Sequence, residues 1–330
     1  MSRQLASRQL GASNLSINPI GFGLMSLSGT YGAADDKVSV DLIQEAIDKG
    51  VNFLDSSDMY GWGHNETLLG TALKGRREQV VLASKFGNFR KEDGTQGVDG
   101  RPEYVRSACE ASLKRLQVEA IDLYYAHRID PNVPIEETVG AMANLVAAGK
   151  VRALGLCEAS PATIRRAHAT HPIAAVQTEY SLLYREPAEQ TMLTTRELGI
   201  SFVAYAPLGR SLLTGTVKSA DDVASDRRKD HPRFQAENLV SNLAAVAPLQ
   251  AMAEQKACTP GQLAMAWILA QGDDVVVIPG TKRSERLVEN IGTASVELTV
   301  EEINALSELF PAGVASGTRY PAGGMKGVFI

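Results

Sequence analysis

Four polar residues stand where apolar runs stop. The run from Val51 to Leu54 ends in the carboxylate of Asp55, and Tyr60 follows in a polar, glycine-rich loop. The run from Val80 to Ser84 ends in the amine of Lys85, and Ile121 to Ala126 ends in the imidazole of His127. In extended chain, alternation puts Val51, Phe53 and Asp55 on one face, Val81, Ala83 and Lys85 on another, and Ile121, Leu123, Tyr125 and His127 on a third. The chemistry this set suits is proton transfer from a tyrosine. A phenol with an unperturbed pKa of about 10 is a poor acid near neutrality, and a neighbouring ammonium lowers that value by stabilising phenolate. Tyr60 would then protonate a developing alkoxide, with Asp55 holding Lys85 charged and oriented and His127 bonding the carbonyl. A hydride source is missing from the set, because side chains cannot supply one. Singly, each residue has an ordinary explanation as a cap, a loop residue or a rim residue. A lysine facing inward at the end of an apolar strand nevertheless needs a partner, and Asp55 is the obvious one.

Adjacent strand tips converge in a parallel barrel, and the rest of the chain has the rhythm of one. Strands are expected at 19–23, 51–54, 80–84, 121–126, 151–156, 173–178, 200–204 and 275–278. Amphipathic helices alternate with them at 38–49, 67–73, 102–115, 134–148, 161–169, 186–197, 239–256, 260–271, 284–291 and 300–309. Asn65 is read as the N-cap of the second helix, and Pro102 and Pro134 open the helices that they begin. The expectation is α/β: a (β/α)8 TIM barrel over residues 1–330 as one domain. It carries an N-terminal β-hairpin within 7–24, two extra helices, and a long polar loop at 207–236 after strand seven. An open doubly wound sheet would need G-x-G-x-x-G between a strand and a helix, and the near miss Gly21-Phe22-Gly23 leads into a loop.

Composition narrows the partners. A net charge of −5 over 330 residues leaves no basic footprint for nucleic acid and no polybasic membrane patch. The opening stretch Met1 to Leu10 lacks a leader's apolar core, and no run is long enough to span a bilayer. Cys109, Cys157 and Cys258 are far apart, which argues against a disulfide framework or structural zinc and for a reducing cytoplasm. His64, His168, His171 and His231 lack metal-ligand spacing, so no metal is expected.

Five separated segments, in order, resemble the aldo-keto reductase superfamily. They are Gly50 to Tyr60, Lys85 after its strand, Tyr124-Tyr-Ala-His127-Arg, Ala204-Tyr205-Ala-Pro-Leu-Gly209, and Ile278-Pro-Gly-Thr-Lys-Arg-Ser to Asn290. Gly155-Leu-Cys157-Glu-Ala-Ser160 and Arg319-Tyr-Pro321 are similar to the branch with a Gly-Leu-Ser-Glu-Ala-Ser segment and an Arg-Tyr-Pro tail. The resemblance implies a barrel that binds NADPH/NADP+ in an extended pose, with Asp55, Tyr60, Lys85 and His127 as the catalytic tetrad. It implies that Tyr205 stacks on the nicotinamide and that Cys157, Glu158 and Gln177 meet its carboxamide, with Gly23, Met25 and Asp55 also at this end. Cys157 stands where relatives usually have serine, and a thiol is the weaker donor. The pyrophosphate maps to Pro207, Leu208, Gly209 and Ser211, with Arg233 from the long loop. The adenosine end maps to Gly280, Thr281, Lys282, Arg286, Glu289 and Asn290.

The last of these segments also argues for itself. A strand ends at Pro279-Gly280 and a helix begins at Ser284, so backbone N–H groups face one anion site, and Lys282, Arg283 and Arg286 favour a 2′-phosphate there. Tyr31, Trp62, Phe86 and Phe89 are loop aromatics that would line an apolar substrate pocket. The resulting expectation is an NADP-dependent reductase of a small-molecule aldehyde or ketone, with oligomeric state left open. Two other readings stay in play: a cofactor-sensing interaction subunit with slow turnover, and a barrel aldolase or isomerase using Lys85 as a Schiff base.

Overall fold

The computed structural model describes residues 7–330; the first six residues of the polar opening stretch lie outside the described residues. In chain order the hairpin β1 (Arg8–Gln9) and β2 (Ser16–Ile17) precedes β3 (Phe22–Gly23), α1 (Asp36–Asp48), β4 (Phe53–Asp55) and α2 (His64–Ala72). Next come β5 (Val81–Phe86), a short hairpin of β6 (Asn88–Arg90) and β7 (Gln96–Val98), α3 (Pro102–Leu116), β8 (Ile121–Ala126) and α4 (Ile135–Ala147). They are followed by β9 (Val151–Cys157), α5 (Pro161–Thr170), β10 (Ile173–Glu179), α6 (Ala188–Glu197) and β11 (Ser201–Tyr205). The chain finishes with α7 (Ala236–Gln255), α8 (Pro260–Leu269), β12 (Val275–Val277), α9 (Ser284–Gly292), α10 (Val300–Leu309) and α11 (Ala322–Met325).

Strands β3, β4, β5, β8, β9, β10, β11 and β12 pair in parallel in that order. The sheet closes on itself where Gly21 N donates to Val277 O at 2.8 Å and Val277 N to Pro19 O at 2.9 Å. Closure removes the sheet edges. Gly23 and Gly280 lie at this seam; a Cβ on Gly23 would meet Ile278 O at 2.7 Å and one on Gly280 would meet Gly23 O at 2.8 Å. The eight expected strands are therefore the eight of a TIM-like barrel, with the hairpin ahead of them.

Alternation along each strand divides the core into layers. Phe53, Val81, Ala83, Leu123, Tyr125 and Val203 fill the barrel, while Ile43, Leu69, Val139 and Leu154 pack between strands and helices on one side and Trp267, Phe202 and Tyr180 on the other. Gly155 is glycine because the Tyr125 ring occupies its side: a Cβ there would meet the ring at 2.3 Å. The hairpin plugs the bottom with Leu10 and Ile17, both fully buried, at about 1.5–3 kcal/mol of stabilisation each. Arg8 Nη1 anchors it to Gly272 O at 3.0 Å.

Details differ from the sequence expectation, among them the β6–β7 hairpin, which that expectation does not include. Asn65 is not an N-cap: α2 begins at His64 behind Gly63 at φ 97°, a left-handed conformation that glycine adopts without strain. The Asn65 side chain is buried and cross-links loops, donating to Leu24 O and Ser28 Oγ at 2.9 Å and accepting from Ser56 Oγ at 2.7 Å. The loop at 207–236 is not featureless; it folds into four successive 3-10 turns.

Candidate active site

Asp55, Lys85 and His127 stand at the C-terminal tips of three neighbouring strands on the barrel's interior side, and Tyr60 reaches the same point from the loop after β4. Lys85 Nζ bonds Asp55 Oδ1 and donates to Ser56 O at 2.8 Å and to Tyr60 Oη at 3.3 Å. The second Asp55 oxygen accepts from Gln177 Nε2, across the barrel on β10, at 2.8 Å. The Tyr60 and His127 rings meet edge to face at 5.8 Å. His127 Nδ1 lies 3.0 Å from Ser57 Oγ.

Burial sets the protonation states. Lys85 is fully buried; burial disfavours its charge, but Asp55 beside it overturns that effect and holds the ammonium charged. Tyr60 departs from the expectation of a lowered phenol. Burial raises it to about 12, because Lys85 opposes desolvation only in part and Asp55 cancels some of what the ammonium gives. The phenol is thus a held proton, and the ammonium is placed to accept the negative charge when that proton leaves. His127 is driven well below its usual value by burial and by the charges of Lys85 and Arg128, so the ring is neutral. The Cys157 thiol, buried at the tip of β9, is pushed up to about 12 by desolvation and stays protonated.

The other half of the mouth is ionic. Glu179 at the end of β10 receives Arg210 at 2.9 Å and Arg233 at 3.2 Å, and Arg319 from the tail binds Glu158 through both nitrogens of its fork. Burial raises Glu179, and Arg210, Arg319 and Arg233 more than reverse it, so it stays ionised. Arg319 is fully buried and also donates to Tyr205 Oη at 3.3 Å, while Tyr205 shares a 2.9 Å bond with Tyr320 Oη. Sequence reading missed Glu179, Arg210 and Arg319 as members of this rim, although Glu179 follows Gln177 on the inward face just as Lys85 follows Ala83.

Part of the set assigned to a nicotinamide dinucleotide presents groups of the chemistry that such a cofactor needs. Tyr205 ends β11 at the mouth; Gly209, Arg210 and Ser211 at φ 55°, 55° and 83° turn their peptides in a left-handed arc; α9 starts without a side-chain cap, leaving its N-terminal peptides open to an anion. Lys282 sits at this end, its Nζ donating to Tyr31 O at 2.6 Å and Ala33 O at 3.1 Å. An aromatic face, backbone donors and a lysine suit such a group. Several assigned side chains are engaged elsewhere, however. Glu158 is taken by Arg319, Arg233 points inward to Glu179, and Glu289 binds Arg286 and accepts from Thr259 Oγ1 at 2.8 Å. Thr281 Oγ1 accepts from Arg283 N at 3.1 Å, and Asn290 is buried. Gly23 and Gly280 serve barrel closure, Met25 begins a short 3-10 turn after β3, and Pro207 and Leu208 lead into the left-handed arc.

The loop aromatics divide. Trp62 is 42% exposed beside Tyr60, and Arg228 lies 5.5 Å over the Tyr31 ring. Phe86 is not a pocket residue: alternation turns it outward from Lys85, and it stacks on Tyr124 at 5.0 Å in the strand–helix layer. Phe89 lies across Gly97 in the β6–β7 hairpin, where a Cβ would meet its ring at 2.6 Å. Among the described residues no helix is long and apolar enough to cross a membrane, and no group of three His, Cys, Asp or Glu is placed to hold a metal.

A family model described as "Aldo/keto reductase family" matches residues 19–310. A probable aldo-keto reductase of Glycine max is 46% identical over 319 residues, covering 96% of this chain and 92% of its own. Among solved structures, a glycerol dehydrogenase of Gluconobacter oxydans superposes with TM-score 0.83 at 28% identity, over 92% of this chain and 94% of that one. An aldo/keto reductase of Klebsiella pneumoniae in complex with NADP and acetate gives TM-score 0.73 at 25% identity, over 95% and 98%.

Proposed function

Because this chain belongs to the aldo/keto reductase family, a family of NAD(P)-dependent oxidoreductases, we propose that it reduces an aldehyde or ketone to the alcohol with NADPH, Tyr60 being the general acid. The observation that supports this most directly is the 3.3 Å contact of Tyr60 Oη with a fully buried Lys85 Nζ that is itself paired with Asp55. When bound, NADPH supplies the hydride. Tyr60 gives its phenolic proton to the carbonyl oxygen, and the phenolate left behind is stabilised by the ammonium of Lys85 in a dry site where such charge pairing is strong. Asp55 keeps Lys85 protonated throughout. His127, neutral, holds the carbonyl by a hydrogen bond and fixes its approach to Tyr60.

For the cofactor, Tyr205 offers a stacking face, Gln177 and Cys157 offer carboxamide contacts, and the arc from Pro207 to Ser211 offers backbone donors to the pyrophosphate. Lys282, with Arg286, selects the 2′-phosphate, exchanging the carbonyls of Tyr31 and Ala33 for it. Arg233 and Glu158 hold the rim in this reading and do not touch the cofactor. A small carbonyl compound as substrate and a reducing cytoplasm complete the proposal, in keeping with three free thiols.

The test follows NADPH absorbance over a panel of aldehydes and ketones. Turnover that is lost in Tyr60→Phe, with NADPH affinity retained, is the expected result. NADPH binding with no turnover of any carbonyl would instead make the protein a cofactor-sensing subunit.

A further inference from the structure

Asp55 is not the only acid in Asp55-Ser-Ser-Asp-Met-Tyr60; Asp58 takes no part in the chemistry above, yet it is one hydroxyl away from His127. Ser57 Oγ lies 3.0 Å from His127 Nδ1 and 3.3 Å from Asp58 Oδ1, and it accepts the Met59 N–H at 3.3 Å. A hydroxyl has one proton and two acceptor lone pairs. With one lone pair taken by Met59, Ser57 has one proton to give and one lone pair left, for two neighbours. It therefore donates to one and accepts from the other. His127 is neutral, so its ring carries a single N–H, and among the described residues Nε2 has no hydrogen-bond partner. Whichever way Ser57 points decides what Nε2 offers.

We propose that Asp58, acting through Ser57, sets which nitrogen of His127 carries the proton, making it the positioning residue that decides whether the imidazole donates to a carbonyl or accepts from an alcohol. This rests on the oxidoreductase reading above. With Asp58 protonated, its O–H donates to Ser57, Ser57 donates to Nδ1, and the ring proton sits on Nε2, ready to bond a carbonyl oxygen. With Asp58 ionised, Ser57 turns its proton to the carboxylate and accepts from Nδ1–H, which leaves a lone pair on Nε2, ready to accept from a substrate hydroxyl. The two states differ by the one proton lost from Asp58, and the ring proton changes nitrogen through solvent.

The surroundings suit a group that changes state near neutrality. Burial pushes Asp58 up to about 7, Glu66 adds to the push, and Arg115, Ser57 and Met59 oppose it. Glu66 on α2 is itself bonded by Arg115 of α3 at 2.7 Å, which blunts both of their charges at Asp58. The phenols facing Asp58, Tyr104 on α3 and Tyr124 on β8, are both raised by burial and stay protonated. Facing His127 are Lys85, Arg128 and the Tyr60 ring, whose charge states do not change near pH 7.

The experiment measures kcat against pH for NADPH-linked reduction of one aldehyde and for NADP-linked oxidation of its alcohol. Wild type, Asp58→Asn and Ser57→Ala are compared. In wild type, reduction falls by about tenfold across neutrality while oxidation rises over the same window, the worth of one hydrogen bond gained or lost. In Asp58→Asn the amide does not titrate, so whichever way it bonds Ser57, reduction no longer falls and oxidation no longer rises across neutrality. In Ser57→Ala the step is also lost, and KM for NADPH is unchanged. The same opposed steps persisting in Asp58→Asn would overturn the proposal, as would reduction and oxidation moving together in wild type. Nitrogen-15 spectra of histidine-labelled wild type, with the His127 signals identified by their loss in His127→Gln, give a readout free of turnover. The expected result is a ring proton on Nε2 below about pH 6 and on Nδ1 above about pH 8. A fixed tautomer sinks the proposal, whereas absence of any turnover sinks the oxidoreductase reading and leaves the tautomer result to judge this one.

Discussion

The two halves of the barrel mouth use charge in opposite ways. Along β4, β5 and β8 there is one buried ammonium and one carboxylate, with a phenol and an imidazole beside them that keep a donor or acceptor free. Along β9, β10 and β11 two carboxylates are surrounded by Arg210, Arg233 and Arg319, which come from the long loop and the tail. The first half keeps hydrogen-bonding capacity in reserve for something that arrives; the second spends its capacity tying distant segments to the rim. Buried ions thus do two jobs within one opening, and the difference lies in whether the partners belong to neighbouring strands or to remote chain.

Mutation sharpens the contrast. The largest expected effect is Tyr60→Phe, which removes the transferable proton: turnover falls by about a thousandfold or more while the NADPH dissociation constant and the melting temperature stay near wild type. In the other half the pattern reverses. Arg319→Met leaves Glu158 buried without its partner and is expected to cost about 3–5 kcal/mol of stability, read by urea unfolding, with a smaller loss in turnover. If Arg319→Met abolished turnover at unchanged stability, the division of labour between the halves would be wrong.

Lys282→Ala is expected to weaken NADPH by about ten- to a hundredfold and NADH far less, measured by fluorescence titration, since only the former brings a phosphate to pair with the amine. The smallest effect concerns acid. Glu179 has a depressed folded-state pKa, so its contribution to stability is complete above the unfolded glutamate value of about 4.3 and is lost as pH falls through the lower folded value. Replacing Glu179 with Gln should therefore remove part of the acid dependence of urea unfolding below about pH 4.3, while leaving its slope near neutrality as it was.

Much of the scaffold was legible because periodicity reports burial. All eight strands fall where apolar alternation puts them, and the inward registers of Lys85 and His127 follow from counting by twos. What escaped depends on partners far along the chain. Arg319 and Glu158 are separated by 161 positions, and nothing local to either announces a bidentate pair. Asn65 looked like a cap because caps and cross-linking amides share a residue type; Gly63 took the cap because the turn required positive φ. Phe86 was misjudged because its position in a loop was assumed when the strand in fact continues one residue past Lys85. The β6–β7 hairpin did carry a local signal, Asp93-Gly94 at its turn, that was passed over.

The plug beneath the barrel has a consequence for how the molecule is made. Leu10 and Ile17 precede β12 by more than 250 residues, yet Arg8 finds its carbonyl on Gly272, and the seam strand pairs with Val277. These residues therefore wait for most of the chain before they reach their final neighbours, and until β12 has emerged the growing chain presents an unclosed sheet with an apolar lining. A nascent chain arrested before residue 275 is expected to be held by a chaperone, and one released beyond it to close by itself.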